Sequence, residues 1–408
     1  MKFPLYFSKK IAFSKDNKNN LSRVIVFIGR LSVALGIIVS LITVSTGLGS
    51  KKAIKERLAD FSGHISIKST RSNSSYNSTI LDKSFNIKKI KNLSEVESTQ
   101  KYATVSGILR TKDNFAGIIF KGVGKDFDAE RFKNFLIEGV SPKISEVGYS
   151  NEIVISKKIA SDLHLKLKDS IVAIFSKENK SPIYRKFEVV GIYKTDIKMI
   201  DDLFIIGGIN QVRKIQEMGP NDIGGMDVFL KNINNINEVF PKVEKLIGLK
   251  NYAEKATDKY PEILEWINIF DVNIALIIAI MLIVVVINII MVLLILIIER
   301  TNSIGILKTL GTNNGQIRSI FINYTLLIMI PGIVIGNVVG IGLLLLQKYF
   351  GIITLNPENY YVSVVPVDLN PIYFFMISFG ILFVSALSLI LPSFLISKIS
   401  PVKAIKYD

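Results

Sequence analysis

The stretch that decides the fold is Val272–Ile298, which reads VNIALIIAIMLIVVVINIIMVLLILII and contains no charged residue. A helix needs about 20 apolar residues to cross the hydrocarbon core of a bilayer, and this run exceeds that length. It therefore predicts a transmembrane helix rather than a buried helix of a soluble domain. Asp271 precedes the run and Glu299 follows it, so the apolar segment has sharp ends.

Three further apolar runs surround this one, at about Leu31–Gly49, Ser319–Gln347 and Asn370–Ser397. The sequence therefore predicts an α-helical membrane domain of four transmembrane helices, one before and three after a large inserted domain. The predicted segments are an N-terminal segment (1–23), a first span (24–48), the inserted domain (49–268), a second span (269–298), a loop (299–318), a third span (319–347), a short loop (348–370), a fourth span (371–397) and a tail (398–408).

The composition agrees with a chain that is partly in the membrane and partly in water. It has 408 residues, of which 49% are hydrophobic and 21% are charged. The first figure is too high for an ordinary soluble enzyme, and the second is too high for a chain lying wholly in the bilayer. Cysteine is absent, which excludes disulfides, thiolate nucleophiles and cysteine-ligated metals.

Basic residues near the span ends set the expected orientation. Residues 1–23 contain six Lys and Arg, and the 299–318 loop and the 398–408 tail contain three each, whereas the 348–370 loop contains one. We therefore expect both termini and the 299–318 loop to be cytoplasmic in a bacterial inner membrane. The inserted domain is then periplasmic, since long domains are translocated whatever their charge.

Short strand and helix patterns alternate through the inserted domain and predict an α+β fold. Lys51–Phe61 continues the first span as a helix, and Gly63 ends it. The section at about 151–206 is the richest in strands and is a candidate subdomain. Strands are predicted at 64–68, 117–120, 152–155, 170–175, 187–193 and 226–230, and helices at 157–163, 209–218 and 236–247.

No motif predicts an active site. Gly122-Val-Gly-Lys125 lacks the earlier glycine of a phosphate loop and is interpreted as a turn. No G-x-S-x-G elbow is present, and the two histidines, His64 and His164, have no metal-ligand spacing, so both are interpreted as structural or surface residues. The sequence therefore predicts a non-catalytic protein with no catalytic residue, metal ligand or bound cofactor of its own.

Other polar features also have simple interpretations. The acidic pair Asp201-Asp202 is expected to be solvated at a turn. The positive charge, +16 in net, is spread along the whole chain rather than arranged as a stripe, which argues against nucleic-acid binding and fits attraction to anionic lipid.

Small residues recur every four positions in two of the spans, which permits close helix contact. Two interpretations remain open, packing between helices of one chain and a contact between two copies. The stripes are Ser32, Gly36 and Ser40 in the first span, and Gly332, Gly336 and Gly340 in the third, just after Pro331.

The polar residues inside the later spans are uncharged. Asn288 and Asn337 are interpreted as partners in hydrogen bonds between helices. Because no acidic or basic residue lies deep in spans two to four, ion-coupled transport is not expected, and the energy must come from another subunit.

The loop after the second span carries a distinctive motif, ERTNSIGILKTLG at 299–311. It resembles the cytoplasmic coupling helix of the ABC-transporter permeases that include the macrolide exporter and the cell-division permease. The end of the chain, LPSFLISKISPVKAIKY at 391–407, resembles the C-terminal pattern of the same superfamily, although Ile396 stands where a small residue is usual.

Three further segments resemble the lipoprotein-releasing branch of that superfamily, the LolC/LolE-type permeases. They are FPLYFSKKIAF at 3–13, FSGHISI at 61–67 and LEWINIFDVN at 264–273. The resemblance implies a permease that extracts lipoproteins from the outer leaflet of the inner membrane and passes them to a periplasmic chaperone. It also implies a cavity formed by two permease copies, or by this chain and a paralogue, with ATP and Mg bound by a separate dimeric ATPase.

The resemblance assigns roles to two sets of residues. A hairpin in the branch captures the chaperone, and the corresponding candidate loop here, which is short, contains Lys180, Ser181, Pro182, Ile183 and Tyr184. The residues implied in ATPase coupling are Glu299, Arg300, Ile304, Gly305, Leu307, Lys308 and Gly311, with the apolar ones expected in a cleft of the ATPase.

Two other functions remain open at this stage. One is export of peptides or small toxic molecules by mechanotransmission through the inserted domain. The other is regulation of a periplasmic hydrolase. Both keep the ATPase partner and change what the permease acts on.

Overall fold

The computed structural model describes residues 4–6, 8, 20–72, 76–145, 148–176, 181–356 and 360–398. Most of the predicted N-terminal segment, the tail after residue 398 and Lys180 lie outside these ranges. The chain forms two compact units. The membrane unit comprises residues 1–51, 268–354 and 364–408, and the inserted domain comprises residues 52–267 and 355–363.

The secondary structure contains long helices at both ends of the chain and a mixed region between them. The helices are α1 (Asn20–Ser62), α2 (Ile87–Lys91), α3 (Ala129–Lys133), α4 (Lys157–Asp162), α5 (Lys198–Asp201), α6 (Ile209–Gln216), α7 (Ile236–Ile247), α8 (Ala256–Lys259), α9 (Pro261–Glu299), α10 (Thr301–Thr309), α11 (Asn314–Phe350), α12 (Pro371–Ser388), α13 (Ile390–Ser393) and α14 (Leu395–Lys398). The strands are β1 (Ile65–Ser69), β2 (Val96–Arg110), β3 (Phe115–Val123), β4 (Leu136–Gly139), β5 (Glu152–Ser156), β6 (Ser170–Phe175), β7 (Ile183–Tyr193), β8 (Phe204–Gly208), β9 (Gly225–Leu230) and β10 (Asn251–Lys255).

Four helical segments are long and apolar enough to span a membrane, as predicted: Val24–Ser62, Pro261–Glu299, Asn314–Phe350 and Pro371–Ser397. Their ends follow local sequence signals. Helix α1 continues past its apolar part and ends before Gly63, whose φ of +76° favours glycine. Helix α11 begins with a capping box between Asn313 and Gln316, and α12 begins with Pro371 in its first turn.

Apolar side chains form the core of the membrane unit. Val33, Ile37 and Leu41 of α1 belong to one buried cluster with Val285 and Ile289 of α9. The same cluster continues along α11 and reaches α12 and the short helices after it. The other three spans, α9, α11 and α12, therefore share one buried apolar core with α1.

The inserted domain is built on a sheet of ten strands in the order β10-β1-β9-β2-β3-β8-β5-β7-β4, with β6 pairing β2 and β7. These pairings close a ring of six strands, β2-β3-β8-β5-β7-β6, that returns to β2. The rings of Phe120, Phe175 and Phe187 pack together, with centroids 5.3–6.5 Å apart. The strand-rich section 151–206 closes this ring jointly with β2 and β3.

A buried ion pair joins several strands of the inserted domain. Lys121 Nζ of β3 lies 2.8 Å from Asp227 Oδ2 of β9 and donates a second bond to the carbonyl of Phe61, at 3.0 Å. Ser66 of β1 donates to Asp227 Oδ1 at 2.9 Å, and its Oγ lies 2.9 Å from the hydroxyl of Tyr102. The end of α1 is therefore tied by hydrogen bonds to the centre of the sheet.

The structure corrects the interpretation of Asp201 as a solvated residue. Its carboxylate is buried and accepts hydrogen bonds from Thr195 N at 2.9 Å, Thr195 Oγ1 at 2.8 Å and Asp196 N at 3.1 Å. Burial, opposed by the hydrogen bonds from Thr195, raises the pKa of Asp201 to about 6. The carboxylate organises the loop that presents Asp196 to Arg57 of α1.

The two histidines have the structural roles predicted for them. His64 is buried, and its Nδ1 accepts a hydrogen bond of 3.1 Å from the backbone of Leu230. Burial and then the neighbouring Arg131 lower the pKa of His64 to about 4. His164 is in a turn after α4 with a φ of +54°.

Candidate functional site

The loop predicted to couple to an ATPase folds as a separate short helix, α10. Arg300 is its N-cap residue, and Thr301 Oγ1 donates back to the carbonyl of Ile297 at 3.0 Å. The helix stops at Thr309, and Gly311 has a φ of +86° that side-chain-bearing residues rarely adopt. Helix α11 then begins after Asn313, so α10 connects two spans as a rigid turn.

The two faces of α10 differ in burial. Ile304 is 0% exposed, and Leu307 packs against the same core of the membrane unit. Lys308 Nζ donates to the carbonyl of Ile396 at 2.9 Å. These contacts fix one face of α10 on the other helices of the membrane unit.

The opposite face presents Ile306 and Leu310, which are 50% and 77% exposed. Neither belongs to the set of coupling residues derived from the motif. In that set, Ile304, Gly305 and Leu307 face the chain's own core, contrary to the expectation that they occupy a cleft of a partner. The sequence does not reveal which face of α10 is covered, because Ile304 on one face and Ile306 on the other are both apolar.

The glycine stripe of α11 is in contact with α1. A Cβ atom built on Gly332 would lie 2.6 Å from the carbonyl oxygen of Arg30, and one on Gly336 would lie 2.8 Å from that of Ala34. At Gly340 the nearest atom is Leu41 Cδ1, at 3.0 Å. This stripe is therefore occupied by packing within the chain.

A second set of small residues lets α1 approach α9. A Cβ on Gly29 would lie 2.9 Å from Val292, and one on Gly47 would lie 2.6 Å from Ile274. Gly36 lies against Val285 in the same way. Ser40 of the same stripe is buried and Ser32 is half-buried, so both stripes predicted from the sequence include residues packed against helices of the same chain.

The two asparagines of the spans behave differently. Asn337 Nδ2 donates to Ser378 Oγ of α12 at 2.8 Å, which confirms a hydrogen bond between helices. Asn288 donates to the carbonyl of Val284 in its own helix at 2.8 Å. Among the described residues, the half-buried Asn288 therefore bonds within its own helix, and the prediction of a bond between helices is wrong for it.

Exposed apolar side chains follow one face of α9 at helical spacing. They are Val272, Leu276, Ile280, Ile283, Ile287 and Met291. Helix α1 has a similar face near its start, at Val24, Phe27, Leu31 and Leu35. Within the described residues, these faces are not covered by the rest of the membrane unit, so lipid or another apolar surface can contact them.

The candidate chaperone loop is the connection between β6 and β7. Ile183 pairs with Phe175, and Tyr184 pairs with Ile174, so the described part of the loop leads directly into a regular hairpin. Ser181 and Pro182 are exposed, and Tyr184 is 62% exposed.

An apolar row crosses three strands beside this loop. Ile108 of β2 pairs with Ile174, which in turn pairs with Tyr184. A surface cavity of about 680 Å³ at this place is lined by Ile174, Val172 and Tyr184, with Arg110 and Lys112 at its edge. The hairpin therefore belongs to a larger apolar surface with a basic edge.

The fold defines a membrane protein of four spans with one inserted domain. The family model described as "MacB-like periplasmic core domain" matches residues 30–246, and the model described as "FtsX-like permease C-terminal" matches residues 275–401. The chain belongs to this family of ABC-transporter permeases.

Relatives named as lipoprotein-releasing system proteins match this chain over nearly its whole length. The chain is 23% identical to "Lipoprotein-releasing system transmembrane protein LolE" of Haemophilus influenzae, over 99% of both chains. It is 20% identical to "Lipoprotein-releasing system transmembrane protein LolC" of Xylella fastidiosa, over 93% of this chain and 92% of the relative. Among solved structures, the periplasmic region of MacB from Actinobacillus actinomycetemcomitans matches 49% of this chain and 92% of that chain at 16% identity, with a TM-score of 0.33.

Proposed function

We propose that this chain is the permease subunit of an ATP-driven transporter that extracts lipoproteins from the outer leaflet of the inner membrane and passes them to a periplasmic chaperone. The observation that carries the proposal is the match to LolE and LolC relatives from end to end, through both the spans and the inserted domain. Three exposed surfaces of the chain have a place in this function.

The exposed face of α10 is the proposed contact for the ATPase. Ile306 and Leu310 together form an exposed apolar surface at α10, whose other face packs against the core of the membrane unit. A push on this surface would move α9 and α11, because α10 is joined to both by short connections. In this proposal, α10 and both termini are cytoplasmic, ATP and Mg bind only to the partner, and this chain is not itself an enzyme.

The exposed faces of α9 and α1 are the proposed receiver for acyl chains. Four helices cannot enclose a path alone, so a second permease copy or a paralogue would face this surface. Each buried CH₂ is worth about 0.8 kcal/mol, so three acyl chains leave the bilayer only if they meet another apolar surface and if ATP supplies work. The face from Val272 to Met291 contains no charged side chain and suits that role.

The β6–β7 hairpin and its apolar row are the proposed contact for the chaperone. Pro182 and Tyr184 stand at the exposed end, and Ile108 and Ile174 extend the surface across β2 and β6. A carrier of acyl chains needs an apolar opening of its own, and an exposed apolar surface with basic neighbours can dock against it.

The test is affinity purification of the full-length chain from its native membrane in mild detergent, followed by mass spectrometry. An ABC ATPase together with triacylated lipoproteins is the expected result. An ATPase without lipoproteins, accompanied by a membrane-fusion protein or a hydrolase, would replace the proposed cargo by one of the two alternative functions. Absence of any ATPase would contradict the proposal as a whole.

A variant and a matched control test whether the exposed face of α9 contacts the lipoprotein. Ile280→Ser with Ile287→Ser places two hydroxyls on the exposed face of α9, and lipoprotein recovery should fall severalfold while the ATPase remains. The control is Phe375→Ser with Phe379→Ser, two exposed residues of α12 that the proposal places toward lipid. Equal recovery from both variants would contradict the assignment of α9 as the receiver.

A further inference from the structure

A basic cavity lies on the inserted domain, in a part of it that the proposed transport function does not use. Its volume is about 360 Å³, within the range of about 300–1,000 Å³ typical of small-molecule sites. Elements distant in sequence form its walls: the end of α2, the start of β2, the turn after β3 and the first half of α6.

Among the described residues, four cations and one carboxylate line this cavity. The cations are Lys91, Lys101, Lys125 and Arg213. The carboxylate of Asp126 is already engaged, since its Oδ2 accepts a hydrogen bond of 3.0 Å from the backbone of Lys101. The lining therefore carries an excess of positive charge that an anion would neutralise.

The lysines and the arginine contribute in different ways. Among the described residues, the ammonium groups of Lys91 and Lys101 form no ion pair or hydrogen bond, so both are available to a ligand. Arg213 is held in place, with Nε donating to the carbonyl of Asp222 at 2.7 Å and Nη1 donating to Asn210 Oδ1 at 2.9 Å. A fixed guanidinium beside two free ammonium groups suits an oxyanion with several acceptor oxygens.

The rest of the lining indicates that the ligand is larger than an inorganic ion. Ile144, Ile209 and Pro220 supply apolar wall, and Ser145 and Asn221 supply polar groups beside it. An inorganic phosphate would leave most of 360 Å³ to water, whereas a phosphate joined to a sugar-sized skeleton would fill the space and contact both kinds of wall.

The turn that lines the cavity follows β3 and belongs to the Gly122–Lys125 segment, whose first two residues end β3 and which the sequence excludes as a nucleotide loop. A Cβ on Gly122 would lie 2.8 Å from Ile209 Cα, so this glycine allows the end of β3 to pack on the start of α6. The segment brings Lys125 to the same cavity as Arg213.

The geometry points to a binding site for a small organic phosphate, of the sugar phosphate class, in this cavity of the inserted domain. The site is independent of the ATPase, lipoprotein and chaperone contacts proposed above. Its ligand could be soluble or could be the headgroup of a phospholipid, which presents the same chemical group.

The test is isothermal titration of the full-length protein in phosphatidylcholine nanodiscs at low salt, with glucose 6-phosphate as the probe. Glucose 6-phosphate should bind, glucose should not, and inorganic phosphate should bind at least about tenfold more weakly than the sugar phosphate. Lys91→Gln with Lys101→Gln should weaken binding by about tenfold or more, since two charge-assisted contacts are lost. Repeating the titration in phosphatidylglycerol nanodiscs distinguishes a soluble ligand from a lipid headgroup. If the site binds the headgroup, phosphatidylglycerol competes with glucose 6-phosphate and abolishes its binding. If the ligand is soluble, binding of glucose 6-phosphate is retained.

The matched control is Lys88→Gln with Lys89→Gln, which removes two exposed charges from the same helix outside the cavity. This control should retain the affinity of the wild-type protein. An equal loss in both double variants would show general attraction of anions to a basic domain and overturn the site. Absence of binding, or equal affinity for inorganic phosphate and glucose 6-phosphate, would also overturn it, whether or not the transport proposal holds.

Discussion

The inserted domain and the membrane unit of this chain are stabilised by different kinds of contact. The inserted domain buries the Lys121–Asp227 ion pair and the Asp201 carboxylate, each supplied with several hydrogen bonds. The buried cluster of the membrane unit consists of apolar side chains, and its helices approach through Gly29, Gly36 and the glycine stripe of α11.

The difference follows from the solvent of each unit. In water, burying apolar surface supplies the driving force, so a domain tolerates buried charge if that charge is paired. In lipid that driving force between helices is absent, and association depends on close backbone approach and a few polar contacts. Stability should therefore respond to loss of a charge in one unit and to gain of volume in the other.

The largest expected effect is removal of one partner of the buried ion pair. Lys121→Met leaves the Asp227 carboxylate, which is 2% exposed, without its cation, and should cost the inserted domain about 3–5 kcal/mol of unfolding free energy. Amide hydrogen exchange of β2 and β9 in the full-length protein measures this loss. The double variant Lys121→Met with Asp227→Leu should recover most of it, and an equally large loss in both would show that packing rather than charge is responsible.

The next effect is a pair of opposite pH dependences in the inserted domain. The pKa of His64 is lowered to about 4 from 6.5, so the unfolded chain takes up the proton first, and stability is lost as the pH falls from about 6.5 to 4. The pKa of Asp201 is raised to about 6 from 3.8, so the folded chain keeps its proton longer, and stability is lost as the pH rises from about 4 to 6. At about 1.4 kcal/mol per pKa unit, each contribution reaches about 3 kcal/mol at the end of its window.

Thermal unfolding of single variants between pH 4 and 7 separates these two contributions. His64→Asn, which keeps an acceptor near Nδ1, should lose less stability than the wild-type protein on acidification. Asp201→Asn should lose less on going from pH 4 to pH 6. The same slope in both variants and the wild-type protein would rule out these residues as the titrating groups.

A smaller effect is expected from added volume between α11 and α1. Gly336→Leu would press against the carbonyl of Ala34, and the resulting overpacking should cost about 1–3 kcal/mol. Gly342→Leu is the matched control on the same helix, since a Cβ there meets no atom within 4 Å. The apparent unfolding temperature in detergent compares the two, and equal values would contradict the contact between α11 and α1.

The smallest effect concerns the polar contacts in the spans. Asn337→Leu removes the bond to Ser378 of α12 and should cost about 0.6 kcal/mol, the average for such bonds in membrane proteins. Asn288→Leu removes only a bond within α9 and should be neutral or stabilising in lipid. Unfolding in mixed micelles measures both changes, and a larger loss for Asn288→Leu would indicate an additional partner for that residue.

Local patterns in the sequence predicted the spans, the helical continuation to Ser62 and six strands of the inserted domain. They missed the longest strand, β2, because Glu97, Ser98 and their polar neighbours hide its alternation. Pairing of β2 with β3, β6 and β9 stabilises it through residues distant in sequence. The same reason explains Asp201, whose burial depends on Thr195 and on the fold around it.

The sequence predicted where the coupling helix α10 lies in the chain, but it did not predict which face of α10 is exposed. The motif at 299–311 located α10, but the choice between Ile304 and Ile306 as the exposed residue depends on where α14 and α11 lie. The glycine stripes were visible in the sequence, while their partners, α1 and α9, required the packed helices. Periodicity identifies a face, and only the tertiary contacts show what covers it.

We propose that the exposed face of α10 connects this permease to an ATPase, and one measurement tests this contact directly. The measurement is the amount of ABC ATPase recovered with the full-length chain carrying Ile306→Asp and Leu310→Asp. The control carries Ile352→Asp and Ile353→Asp, two exposed residues just after the C-terminal end of α11. We expect the α10 variant to lose the ATPase and the control to keep it, with both chains inserted in the membrane. ATPase recovery at the wild-type level with the α10 variant would contradict the proposed contact.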